Sequence, residues 1–159
     1  TYSGNGISKK TIAISKLKPE LKNNTFILRH ENGQYYLIDN DDELISLGKD
    51  IKGLDELDDG RLLLTNDLNE VLVIGNPLNL SIRSKSVIGR FSNAVEKAKQ
   101  LDENYFITLS EGEISIVDEL DSQFSTLETE IRVKDFWLLN KNQILIWQKN
   151  NQLKVLTLS

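Results

Sequence analysis

The feature that most constrains this chain is a unit that it writes more than once. The stretch "IKGLDELDDGRLLLTNDLNEVLVIG", residues 51–75, sets out a loosely spaced apolar series, a polar corner, an apolar burst, a second polar corner and a second burst. "IKGLDELDDGRLLL" from Ile51 aligns without a gap over "VEKAKQLDENYFIT" from Val95 and "VKDFWLLNKNQILI" from Val133. An apolar residue opens each copy, a leucine follows at Leu57, Leu101 and Leu139, and a corner comes next, ending in Gly60, Asn104 or Asn142. Gly and Asn tolerate the positive φ of a tight turn.

After the corner, each copy has two short apolar bursts across a polar turn: "RLLLTN" with "EVLVIG", "YFITLS" with "EISIV", and "QILIWQ" with "LKVLTL". Each pair reads as a β-hairpin. An earlier copy, "TFILRH", "ENG", "QYYLID", has a first segment that carries Pro19, and the matching positions 25, 61, 105 and 143 lie 36, 44 and 38 residues apart. A further segment, "DELISLG", "LNLSIRS" or "FSTLETE", follows each of the first three hairpins as a fourth strand. Bursts this short, bounded by Gly, Asn and Asp, suit strands, and a period near 40 with four strands marks propeller blades.

This order of strands and corners resembles the WD40-type propeller repeat, from about residue 11 to the end. Ile38-Asp39 and Val117-Asp118 stand where that repeat commonly closes its third strand; Ile74-Gly75 replaces them in the second copy, and no Trp-Asp or Gly-His pair occurs. The resemblance implies an all-β chain of about four WD40-type blades, at approximately 11–48, 49–86, 87–130 and 131–159, in one domain from residue 11 after a flexible segment 1–10. Propellers of this type close with about seven blades, and here the last copy stops at "LKVLTLS", after its third strand. Three completions are open: a longer propeller of which this is part, which is preferred; "GISKKTIAI" as the outer strand of the last blade; or blades from a partner chain. Thr1 and the absence of any Met favour a processed or excised piece.

Composition excludes several functions. With 39% hydrophobic residues the chain can bury one sizeable core, and a net charge of -5 argues against a dedicated nucleic-acid binder. Without Cys there is no disulfide, thiolate metal site or thiol nucleophile, which fits an intracellular, soluble protein. No apolar run approaches the roughly 18 residues that span a bilayer.

Chemistry is sparse. His30 is the only histidine, and the matching positions Asn66, Ser110 and Gln148 are polar, so a solvated strand end is expected. The acidic run at residues 39–43 lacks the Gly and Glu of a calcium loop, since Leu44 and Asp50 stand at those places. There is no phosphate-binding motif and no expected cofactor or metal. Two groups lean toward binding. Arg83, Lys85 and Arg90, with Lys97 and Lys99 soon after, form either a charged outer strand that resists edge pairing or a docking patch for an acidic partner or a phosphate backbone. Phe136, Trp137 and Trp147 concentrate aromatics in the last repeat. Core packing is the first expectation for them. In an open array, however, some of Phe136, Trp137, Leu139, Ile144 and Trp147 would form an exposed patch where another subunit, the rest of a parent chain or a second copy docks.

The resulting expectation is a non-catalytic protein-interaction scaffold within a larger intracellular assembly. The alternatives are a nucleic-acid or acidic-partner platform using Arg83, Lys85 and Arg90, and a ligand-binding or hydrolytic propeller with carboxylates converging on a central funnel.

Overall fold

The computed structural model describes residues 17–22, 25–38, 43–75 and 85–159. Residues 1–10, "GISKKTIAI", Arg83 and residues 39–42 of the acidic run lie outside these. Among the described residues, fifteen strands form four antiparallel meanders, each paired in chain order. The first holds β1 (Leu17–Lys22), β2 (Thr25–His30), β3 (Gln34–Ile38) and β4 (Leu44–Lys49). The second holds β5 (Lys52–Glu56), β6 (Leu62–Thr65), β7 (Glu70–Ile74) and β8 (Lys85–Arg90). The third runs through β9 (Val95–Asp102), β10 (Tyr105–Ser110), β11 (Glu113–Asp118) and β12 (Phe124–Thr126), and the fourth through β13 (Val133–Asn140), β14 (Gln143–Gln148) and β15 (Leu153–Thr157).

The matched positions 25, 61, 105 and 143 fall at or immediately before the start of β2, β6, β10 and β14, so the repeat in sequence is the repeat in space. The hairpins after these strands turn through positive φ at Gly33, Asn69, Gly112 and Asn151. Asx turns support three of them: Asn32, Asn66 and Asn150 each accept, through the side-chain oxygen, the backbone N–H two residues on. Of the three aligned corners, only the first uses positive φ at its last position, Gly60 at +84°. Pro19 sits in β1, which among the described residues is paired on one side only, where a missing donor is tolerated.

The fourth strand of the second sheet is β8, starting at Lys85, whereas the expected "LNLSIRS", residues 78–84, lies outside the described residues. The fourth sheet has three strands, and among the described residues none pairs with the outer edge of β15.

Alternation of side chains along each strand loads both faces of the middle strands. On β6 and β7, Leu62, Leu64, Leu72 and Ile74 pack back against Ile27, Tyr35, Leu37 and Leu47 of the first sheet. From the other face, Leu63, Val71 and Val73 pack forward against Val95, Ala98, Phe106 and Val117 of the third. Next, Ile107, Leu109 and Ile114 meet Val133, Phe136, Ile144 and Ile146 of the fourth. Three cores thus lie between four sheets. This is why β6 and β7 are apolar on successive residues: every position is buried, whichever way it points. Phe106 and Phe136 are fully buried, and each contributes on the order of 2–3 kcal/mol by area.

Polar contacts stitch the same junctions. Asn66, 4% exposed, donates through Nδ2 to the Leu47 carbonyl at 2.7 Å, and the Asp67 N–H donates to the Lys49 carbonyl at 3.0 Å. Gly48 is required at this approach: its φ is +88°, and a Cβ there would lie 2.8 Å from Asn66 Nδ2.

Candidate interaction face on the fourth sheet

Each sheet has a leading face, turned toward the sheet that follows in sequence, and a trailing face. Two residues beyond the matched position, the second strand points one side chain forward: Ile27, Leu63 and Ile107 are each 0% exposed there. The equivalent in the last sheet is Leu145, and among the described residues no sheet follows it.

Antiparallel pairing sets the neighbours of Leu145. Trp137, Leu145 and Val155 form one row across β13, β14 and β15, and Trp147 lies opposite Leu153 in the next. Directly paired residues share a face, so these five form one surface, with Leu139 at its end. The equivalents of Leu153, which are Tyr35, Val71 and Ile114, are all buried, as are Leu37 and Val73 at the place of Val155; Ile116, at that place in the third sheet, is half-buried, and Arg29, Asp55 and Lys99 stand unburied at places matching Trp147 and Trp137. Here Leu153 is 64% exposed, Leu139 52%, Val155 49%, Trp137 42% and Trp147 39%. Lys134 Nζ lies 4.8 Å from the Trp147 ring centroid and donates to Asn151 Oδ1 at 2.6 Å, which braces one tryptophan in place.

Phe136 and Ile144 do not belong to this face. Both are 0% exposed on the trailing side of the sheet, because neighbours along a strand alternate: Phe136 goes in where Trp137 goes out. Leu145, Leu153 and Val155 complete the surface, and the signal for the last two was the alternation in "LKVLTL".

The described members of the basic group have separate surroundings. Arg83 lies outside the described residues; Lys85 Nζ donates to the Ser46 carbonyl at 2.8 Å, and Arg90 is exposed at the end of β8. Lys99 is paired with Asp55 of the second sheet at 2.6 Å. Lys97 is paired with Asp135 of the fourth at 2.9 Å, and its Nζ also lies 4.8 Å from the Phe136 ring centroid. A third tie between sheets is the fork of Arg61, whose Nη1 and Nη2 both donate to the Glu119 carboxylate while Nε donates to Asp59 at 2.6 Å. Glu119, then Asp59, raises the Arg61 pKa against the opposing effect of partial burial. These charges join blades.

His30 ends β2, and its Nδ1 accepts the Asn32 N–H at 3.2 Å, as a strand-end residue does. Among the described residues no three His, Asp or Glu side chains are grouped to hold a metal ion, and no helix is long and apolar enough to cross a membrane.

No family model matches the sequence, and no curated protein matches it. Solved structures do match in fold. The computationally designed Ika4 protein superposes with a TM-score of 0.56 at 13% identity, over 89% of both chains. The N-terminal domain of Nup159 gives 0.54 at 14% identity, over 88% of this chain and 40% of that one. BamB from Moraxella catarrhalis gives 0.51 at 11%, over 86% and 41%. This chain therefore spans less than half the length of the Nup159 and BamB chains. Nup159 and BamB are propeller proteins, and four consecutive antiparallel sheets packed face to face through three apolar cores are what such proteins are built from. The chain has a β-propeller-like fold of four blades, the last of which keeps an apolar leading face uncovered.

Proposed function

We propose that residues 11–159 act as one non-catalytic, intracellular protein-interaction platform whose principal contact surface is the leading face of the fourth sheet. One observation carries this reading: Trp137, Leu139, Trp147, Leu153 and Val155 are exposed together on one face, while the equivalents of Leu153 in the first three sheets, Tyr35, Val71 and Ile114, are buried. A contiguous apolar surface of this kind, centred on tryptophans, has the composition of a binding hot spot. In the wider assembly, the occupant of this face is another subunit or further blades.

Affinity co-purification with mass spectrometry tests the proposal. Proteins retained by the wild-type chain should be lost with a Leu153→Asp, Val155→Asp double variant and kept by Arg83→Glu. Unchanged retention by the double variant would remove this face from the account, and a turnover abolished by His30→Ala would remove the non-catalytic reading.

A further inference from the structure

We propose that the open leading face of the fourth sheet is covered by the trailing face of the first sheet of a second copy of this chain, and that this contact, made twice, closes two copies head to tail into one ring. The proposal rests on the interaction-platform reading and names its occupant.

The chain already makes this type of contact three times, always leading face on trailing face. The trailing positions that receive it are Leu64 and Ile74 in the second sheet, Val117 in the third, and Ile146 and Leu156 in the fourth. At the same register the first sheet carries Leu28 and Ile38, with Leu44 paired opposite Ile38 on the same side. Leu28 is 7% exposed, Ile38 is half-buried and Leu44 is 42% exposed. No sheet precedes this one among the described residues. Among the described residues, the two ends of the array thus carry matching registers of the contact that the chain repeats internally, with Leu44 the exposed apolar residue of the trailing end.

A second copy brings the complementary half in the register that the internal junctions use. Two copies together also approach the length of the Nup159 and BamB chains, of which one copy covers 40% and 41%. Closure has an energetic consequence. A head-to-tail contact is heterologous, and when a two-fold rotation closes it, the second junction forms at high effective concentration. Each junction is then stronger in the ring than alone.

Sedimentation velocity from low to high micromolar concentration tests this on the wild-type chain and on Trp147→Asp and Leu44→Asp, with circular dichroism confirming that each variant is folded. The wild type should form a discrete dimer, and each variant should dissociate at least about tenfold more readily. An equimolar mixture of the two variants should regain a heterodimer, because one junction in it is wild type on both sides. Failure of the mixture to associate, or open polymers in the wild type, would overturn head-to-tail closure. A wild-type monomer with both tryptophans accessible to acrylamide would also overturn it while leaving the platform reading intact. A monomer with both shielded would remove both.

Discussion

The third and fourth sheets are built on one pattern, yet they differ in what lies in front of them. In the third, Ile107, Leu109 and Ile114 point forward and are sealed by Val133, Phe136 and Ile144. In the fourth, Leu145, Trp147 and Leu153 occupy the equivalent places, and the last two are 39% and 64% exposed. Burial here is therefore a property of position in the array more than of residue type. The leading face of the fourth sheet is open because, among the described residues, no sheet follows it.

Four substitutions sharpen this contrast, in falling order of effect on unfolding by urea. Ile107→Ala empties a closed core and should cost about 2–5 kcal/mol. Gly48→Val forces a side chain into positive φ against Asn66 Nδ2, at 2.8 Å, where the first sheet locks to the second; the expected loss is about 2–3 kcal/mol. Arg61→Ala breaks the fork to Glu119 that joins the second and third sheets, and should cost about 1–2 kcal/mol, because the pair is only partly buried. Leu145→Ala, the register equivalent of Ile107→Ala, should cost under about 1 kcal/mol in the isolated chain, since little surface returns to water. Equal losses at Ile107 and Leu145 would erase the distinction between the two faces.

Much of this was legible in the sequence, for identifiable reasons. The hairpins stood out because bursts such as "RLLLTN" and "EVLVIG" are bounded by turn residues whose chemistry is local. The fourth strand of the second sheet was expected at "LNLSIRS", which lies outside the described residues, while "KSVIGR", which pairs with β7, has no alternation of apolar and polar residues to announce it. Core packing, the first expectation for the aromatics of the last repeat, holds for Phe136, whereas Trp137 and Trp147 are exposed: Phe136 and Trp137 are adjacent and chemically alike, and only the pairing register decides which one is buried against the third sheet. The ties made by the basic residues after β8 were hidden for another reason. The partners of Lys97 and Lys99 lie 38 and 44 residues away on neighbouring sheets, a separation that no local pattern reports.

The most direct measurement uses the fact that the chain's only two tryptophans, Trp137 and Trp147, both stand on the face in question. Their fluorescence should be read at a dilution where the chain is monomeric, and again as it is concentrated or offered a partner. The account predicts red-shifted emission and ready acrylamide quenching in the monomer, with a blue shift and protection on association. Blue-shifted, protected emission from a folded monomer would mean that the array already closes over its last sheet, and would contradict the open face.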